Sequence, residues 1–425
     1  MNLEMGDDLL TDLPHSIIES ILMRMPIRDA VKTSVLSSKW RYKWTKITRL
    51  IFDDNLLSAD KDPEEVELED IEKFITHTLL LHKGPIHRFQ LSVSVFRSCP
   101  DIDQWILYLS RNGVKELILD LGEGDWWRVP SCLFNCKKMV NLELRRCEIY
   151  PPSSFKGFSC LKSLSLHEIV IPPEATEFLI SSCPLLENLS LSYFDNLELH
   201  IEAPKLKYLT LEGEFRDIIL VNTPLLVSVS VCMYMNDDFA EHLELNHGST
   251  FAKFLGAVPL LESLDGHVYF TKYLSIGHDF GRFPITFNYL KVVELYQVSF
   301  EDIKEIQVVI RLLVSSPILQ TLTVSVSPSL YGSESVEIFN WDTEHGLSDS
   351  KLEHLRHVRI TDLLDNPNEL LFIQFLLERS PVLESLKIST SGSLKAGREK
   401  LLIQLLRFRR ASTRAEIVVL PEPKT

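Results

Sequence analysis

Apolar residues, most of them leucine, recur along most of the chain in a short unit, L-x-x-L-x-L, or a conservative variant of it. In the copy at residues 161–166, Leu164 and Leu166 are apolar and Ser165 between them is polar. Neighbouring side chains of a strand point to opposite faces, so this alternation predicts a short strand with one buried face. Further copies lie at residues 114–119, 142–144, 186–191, 206–211, 226–231, 261–264, 290–295, 319–324, 355–360 and 383–388.

The spacing of these copies predicts a repeat architecture. They follow one another at about 20–25 residues and later at about 28–36, against the 20–29 of leucine-rich repeats (LRRs). Proline precedes several copies, as in Cys183-Pro184 and Ser316-Pro317, where it ends a helix and turns the chain back into the next strand. Helical patterns at 174–181 and 303–314 supply a second layer. A single repeat cannot bury its leucines alone, so the pattern predicts a curved solenoid with a parallel sheet and helices on its convex side.

The first fifty residues follow a helical period instead. Pro14 suits the first turn of a helix, where its missing N–H costs nothing. Pro26 ends this helix, and residues 29–36 predict a second one. The first helix has one apolar stripe at helical spacing, formed by Ile17, Ile18, Ile21, Leu22 and Met25.

A third short helix is predicted after the serine pair at residues 37–38, which can cap it. Trp40 and Trp44 are four residues apart and would share its face. Helices totalling about forty residues bury too little surface to be stable alone. For each large apolar side chain left in water, the fold loses about 1.5–3 kcal/mol of stabilisation that burial would give. Another protein, or the rest of this chain, must therefore cover these helices.

Residues 13–44 carry a longer pattern, Leu-Pro-x-x-Ile-Ile-x-x-Ile-Leu-x-x-Met-Pro-Ile-Arg-Asp-Ala followed by Ser-Val-Leu-Ser-Ser-x-Trp-Arg-x-x-Trp. This pattern resembles an F-box, most closely that of the plant F-box/FBD/leucine-rich-repeat family. Near the C-terminus, a strand, a helix capped at Asn366-Pro367, the Ser380-Pro381 pair and another strand resemble the FBD region of the same family. Physically, such a block caps a solenoid end that would otherwise expose an apolar face.

The resemblance and the repeats together predict an α/β chain. A short N-terminal three-helix F-box spans residues 7–52, and an acidic linker with one helix spans 53–84. The curved LRR solenoid with its parallel sheet spans 85–345, and the C-terminal FBD-type cap spans 346–421.

The resemblance also implies a function. F-box proteins of this kind dock onto a small acidic SKP-type adaptor and, through it, a cullin scaffold, as substrate-recognition subunits of SCF-type ubiquitin ligases. The chain itself would then be non-catalytic, with an unknown substrate protein held by the repeats. The positions that the family uses for the adaptor or for the motif's own core are Leu13, Pro14, Ile17, Ile21, Leu22, Pro26, Ile27, Val31, Val35 and Trp40.

Charge and composition narrow the partner classes. The formal charge of -15 argues against a general nucleic-acid binder, because phosphate attraction requires a cationic face. Residues 31–50 nevertheless contain six basic residues and no acid, which suits an acidic partner. Seven scattered cysteines, no apolar segment long enough for a membrane helix and no secretory signal predict a cytoplasmic or nuclear protein with free thiols.

No cofactor, metal site or catalytic motif is predicted, because no P-loop, nucleophile elbow or HExxH occurs. For substrate binding, the aromatic insertion at 266–289 suggests Tyr269, Phe270, Tyr273 and Arg282, since aromatic residues and Arg dominate interface hot spots. Alternatively, these rings pack the insertion against the solenoid. Two further functions stay open at this point: an LRR scaffold that does not enter a ligase, and a receptor that binds its substrate only with a small ligand.

Overall fold

A computed structural model gives the architecture. It separates the chain into two compact units, residues 1–190 and 191–425. The residues that it describes are 13–38, 40–56, 68–94, 99–122, 126–234, 251–275, 286–328, 338–339, 350–391 and 398–420.

The first unit contains a parallel sheet whose strands lie in chain order. These strands are Arg49–Asp53, Arg88–Ser92, Glu116–Asp120, Asn141–Arg145 and Ser163–His167. A separate pair, Trp127–Arg128 with Cys147–Glu148, is also parallel. The helices of this unit are His15–Leu22, Ile27–Lys32, Leu68–Leu81, Ile102–Arg111 and Pro173–Ser181, with short 3-10 helices at Thr33–Val35, Trp44–Lys46, Asp54–Leu56 and Ser131–Asn135.

The second unit repeats the same plan. The strand Asn188–Glu202 contains the boundary residue. After it come parallel strands that also lie in chain order, at Tyr208–Asn222, Ser228–Met233, Ser263–Gly266, Val292–Val298, Thr321–Val326, His357–Leu363, Ser385–Thr390 and Glu416–Val419. The helices are Phe251–Gly256, Phe270–Ser275, Ile303–Val314, Pro367–Arg379 and Arg398–Arg407. Of the helices that the structure describes, none combines the length and apolarity needed to cross a bilayer.

The leucines of the repeat unit form the core. Leu164 and Leu166 are fully buried, and they stand in register beside Leu142 and Leu144 of the preceding strand. Ser165 between them is partly exposed. Stacked strands therefore bury one continuous apolar face and leave alternate residues on the other. The mixed α/β fold with repeated parallel strands is confirmed.

A recurring hydrogen-bond pattern holds the register. The carbonyl just before a strand accepts two N–H bonds from the start of the next strand, as when Gln320 O accepts from Arg356 N at 2.9 Å and His357 N at 3.0 Å. Thr48 O accepts in the same way from His87 N and Arg88 N, at 2.8 and 3.1 Å. The sheet therefore starts at residue 49, inside the segment predicted as F-box. The strands after residue 357 continue the sheet, so the C-terminal block adds further repeat units.

The predicted third N-terminal helix is replaced by turns that end in the 3-10 helix Trp44–Lys46. Side chains compete for the carbonyls that an α-helix would use: Ser34 Oγ donates to Arg41 O at 2.9 Å and Thr45 Oγ1 to Tyr42 O at 2.7 Å. The segment is also rich in Ser, Thr and aromatic residues, which are weak helix formers. Trp40 and Trp44 are both buried, so packing, not helical periodicity, places them.

Close backbone packing at Gly157 gives a stability prediction. Gly157 has φ +97°, and a Cβ there would lie 1.9 Å from the Ser182 carbonyl oxygen, a backbone atom that cannot move freely. Gly113, with φ +67°, faces only the Lys138 side chain. We expect Gly113→Ala to cost about 1–2 kcal/mol for its left-handed backbone and Gly157→Ala clearly more, because a clash is added. Urea unfolding of both variants measures the difference, and equal losses would contradict this packing.

Two helices of the second unit begin with the same buried acid. Glu305 and Glu369 each lie three residues after the N-cap, Asp302 or Asn366. Glu305 accepts from Thr271 Oγ1 at 2.6 Å, and Glu369 accepts from Leu364 N at 3.0 Å. Burial is the largest influence on both carboxyls, and it raises the pKa of each to about 7 despite these donors. The folded protein therefore favours their protonated forms.

This raised pKa sets a pH dependence of stability. Because the folded state binds the proton more tightly, each glutamate stabilises the fold fully below its ordinary pKa of 4.5. This stabilisation is lost as the pH rises through about 7. We expect the free energy of unfolding to fall between pH 5 and pH 8, by up to about 3 kcal/mol per glutamate. Glu369→Gln keeps the capping geometry and removes one titrating group. The free energy of unfolding of this variant should therefore change less with pH than that of the wild type. Parallel wild-type and variant curves from urea unfolding would contradict the assignment.

Candidate functional site

The first helix, His15–Leu22, presents two apolar faces. It starts after Pro14, whose carbonyl accepts from Ile17 N and Ile18 N at 3.0 and 3.1 Å. Ile18 and Leu22 are buried one turn apart. Ile17 and Ile21, also one turn apart, are exposed. The apolar stripe is therefore wider than the core needs, and its outer half faces water.

The second helix and the turn after it extend this outer face. Ile27 and Ala30 are buried, whereas Pro26 at the N-cap is exposed. The 3-10 helix Thr33–Val35 ends with the Val35 side chain 86 % exposed. An apolar side chain this exposed contributes little to the core and is accessible to a partner.

The structure thus divides the ten predicted adaptor residues into three groups. Leu22, Ile27 and Trp40 are buried, which assigns them to the motif's own core, one of the two roles that the resemblance left open for these positions, and not to the surface that a partner could contact. Leu13 and Val31 are partly exposed. The members that stand on the surface are Pro14, Ile17, Ile21, Pro26 and Val35.

Hydrogen bonds attach the N-terminal segment to the residues that flank the first two strands of the sheet. Thr45 O accepts from Lys83 N at 2.8 Å, and Arg28 Nη1 donates to Leu56 O at 2.6 Å. His82 Nε2 lies 2.7 Å from Ile47 O, and burial lowers the pKa of this imidazole. A neutral His82 can donate this bond through Nε2. The exposed apolar residues are therefore presented from a fixed base.

Comparison with known proteins shows which families and which relatives are similar to this chain. A family model of the F-box domain matches residues 10–52, and one of the LRR repeats of FBD-associated F-box protein At5g56370 matches residues 102–324. The F-box/FBD/LRR-repeat protein At1g13570 of Arabidopsis thaliana is 55% identical over 419 residues, which cover 98% of this chain and 99% of the relative. The chain belongs to the plant F-box/FBD/LRR-repeat family. The FBD-associated F-box protein At5g22730 of the same plant is 25% identical over 464 residues, covering 97% and 94%.

Two exposed residues of the F-box escaped the sequence reasoning. Met23 and Leu36 lie next to the predicted positions Leu22 and Val35, and both side chains are exposed. The only available signal was their apolarity just beyond a helical stripe. Exposure, rather than spacing, distinguishes them from core residues, and they enlarge the apolar surface of the F-box.

The F-box also carries exposed cationic side chains. Arg41, Lys46 and Arg49 are exposed. Lys43 Nζ donates to His15 Nδ1 at 3.0 Å, and His15 Nε2 lies 3.1 Å from Glu19 Oε1. The F-box therefore combines exposed apolar residues with exposed cations, which favours an acidic partner.

The predicted substrate residues are placed differently. Phe270 and Tyr273 are buried, and Tyr273 OH donates to Phe215 O at 2.7 Å. They belong to the helix Phe270–Ser275, whose i, i+3 spacing was the signal that could have revealed it. Their proposed surface role is therefore wrong, and the alternative, packing of the rings, holds for them. Tyr269 is partly exposed at φ +58°. Arg282 lies outside the described residues.

The F-box protein carries seven free thiols, of which only Cys160 is exposed. Burial raises the pKa of Cys99 and Cys136 to about 12, which makes these thiols inert at neutral pH. Within the described ranges, no three His, Cys, Asp or Glu side chains gather as a metal site.

The division of the F-box into core and surface gives a stability prediction. Leu22→Ala should cost about 2–5 kcal/mol, because it opens a cavity in the core. Ile17→Ala, on the exposed side of the same helix, should cost less than about 0.5 kcal/mol. Limited proteolysis across the F-box in increasing urea compares the two, and similar losses would contradict this assignment of faces.

Proposed function

We propose that the chain is the non-catalytic substrate-recognition subunit of an SCF-type, cullin-RING ubiquitin ligase. Family membership supports this proposal, since the F-box as a class implies an SKP-type adaptor. One structural observation carries it: the F-box buries its own core residues and leaves Ile17, Ile21 and Val35 on the surface. We infer that the adaptor contacts this exposed set.

The proposed interaction follows from burial and charge. Burying one fully exposed aliphatic side chain at an interface contributes about 1.5–3 kcal/mol of favourable free energy. Several such residues on two adjacent helices can therefore sustain a stable interface. Exposed Arg41, Lys46 and Arg49 would raise the association rate with an acidic adaptor, and this contribution would weaken with salt.

The proposed mechanism is proximity and requires no chemistry from this chain. The adaptor and cullin would hold the F-box at one position of the ligase. The repeats would hold a target protein, so that a target lysine meets the ubiquitin-charged enzyme at a high effective concentration. We propose the cytoplasm or the nucleus as the place of action.

Substitutions on the exposed set test this proposal. Ile17→Asp combined with Val35→Asp places two charges where the adaptor should bury apolar groups, and desolvating a charge is costly. We expect the purified variant to lose at least about a hundredfold in affinity for an SKP-type adaptor, which is about 2.7 kcal/mol. Pull-down followed by calorimetry with the purified adaptor measures this loss.

The matched control carries the same change on another exposed helix of the first unit. Leu80 and Leu81 are both exposed at the end of the helix Leu68–Leu81. Leu80→Asp combined with Leu81→Asp should bind the adaptor as the wild type does. Unchanged capture by the Ile17/Val35 variant would reject the interface. No capture by the wild-type chain would favour a scaffold outside the ligase.

A further inference from the structure

The second unit presents a sheet face that its buried leucines do not use. On this face, the middle residues of adjacent strands stand side by side in one row. Register pairs join Asp265 to Glu294, Glu294 to Thr323, Thr323 to Arg359 and Arg359 to Lys387. We call these five residues the central row. Along it the charges read negative, negative, neutral, positive and positive.

The two acidic residues of the central row have a defined setting. Glu294 Oε2 accepts from Tyr296 OH at 2.5 Å, and the Tyr296 ring stacks on His267 at 4.5 Å between ring centroids with an interplanar angle of 9°. Burial and the neighbouring Glu294 carboxylate raise the pKa of Asp265. Among described residues, no Lys or Arg forms an ion pair with either carboxylate. The acidic end is thus a partly buried pair to which the described residues supply no ion-pair partner.

The basic end of the central row has no ion-pair partner among the described residues either. Arg359 and Lys387 are both exposed. The described part of the chain contains no carboxylate in an ion pair with either cation. The Thr323 strand lies between the two charged ends, and no ion pair among the described residues joins them.

The spacing between strands gives the distance between the acidic and the basic end of the central row. Neighbouring strands lie about 4.8 Å apart, so three spacings, or about 14 Å, separate the centres of the acidic and basic pairs. An extended chain advances about 3.3 Å per residue and covers this distance in about four residues. A crossing segment can therefore place one cation over Asp265 and Glu294 and one anion over Arg359 and Lys387.

We propose that the central row docks an extended segment of a partner protein in which a Lys or Arg lies about four residues from an Asp or Glu. This inference rests on the proposed function, because it describes the substrate that the repeats would hold. Charge complementarity selects the segment: the correct pattern neutralises both ends, and a uniformly charged segment is repelled by one of them. The flanking Tyr296 ring adds a flat surface beside the cation.

A peptide selection against the full-length chain tests the proposal. A phage-displayed library of random twelve-residue peptides is selected on the wild-type protein and on two charge variants. The wild type should enrich peptides with a basic and an acidic residue three to five positions apart. Asp265→Lys with Glu294→Lys makes the row wholly basic and should enrich acidic peptides. Arg359→Glu with Lys387→Glu makes it wholly acidic and should enrich basic peptides.

A control variant distinguishes the effect of the central row from the effect of the protein's net charge. Glu353→Lys with Glu378→Lys makes the same charge change on exposed residues of a loop and a helix, away from the row. It should enrich the same mixed peptides as the wild type. A synthetic peptide with the enriched sequence should bind Asp265→Asn/Glu294→Gln at least tenfold more weakly than the wild type, by fluorescence anisotropy. These neutral substitutions keep the side-chain shapes and so guard against misfolding.

Other results would overturn the inference. Peptides without the mixed pattern, the same peptides on wild type and both row variants, or equal affinity for the neutral variant would each do so. The adaptor pull-down reports separately on the proposed function, because the central row lies outside the F-box. Intact adaptor capture with a failed peptide selection rejects the docking segment alone.

Discussion

The structure depends on the burial of apolar side chains in register between parallel strands. Leu164 and Leu166 are fully buried and stand in register beside Leu142 and Leu144. A slip of one residue would turn each leucine toward water and each serine toward the core. The paired N–H bonds to one carbonyl, seen at Thr48 and repeated at Gln320, hold that register in both units. Apolar burial and backbone pairing thus require the same alignment.

This alignment also determines what is left for binding. Because the leucines occupy one face, alternate residues such as Ser165 and Thr323 lie on the other face, where the apolar core does not determine the residue type. In the second unit, that freedom allows Asp265, Glu294, Arg359 and Lys387 to separate charge along one row. In the first unit, Thr45 O accepts from Lys83 N and so attaches the N-terminal segment to the chain before the second strand, while Ile17, Ile21 and Val35 stay exposed.

Sequence reasoning predicted well where one physical signal dominated. The alternating leucines identified the strands, and helical periodicity identified the helix Ile303–Val314 at its observed bounds. Asn366 was predicted to cap the helix Pro367–Arg379, and the structure adds a capping box with Glu369. In each case local preference and tertiary packing favour the same structure.

Prediction from the sequence failed where tertiary contacts determine the local structure or the burial of a residue. The third N-terminal helix is absent because Ser34 and Thr45 occupy carbonyls that it would need. Phe270 and Tyr273 resemble an interface by composition but fill the core. Periodicity could not distinguish Ile17 from Ile18, because a wide apolar stripe contains both core and surface positions. The charge row was present in the sequence, but only strand register shows that its members are neighbours.

The central claim is that one F-box face is free in this chain and covered by an adaptor. Hydrogen–deuterium exchange of the full-length protein, with and without a purified SKP-type adaptor, tests it most directly. The account predicts new protection across the helices His15–Leu22 and Ile27–Lys32 and none in the strand Ser163–His167. Protection confined to the repeats, or adaptor binding that leaves both helices unchanged, would contradict it.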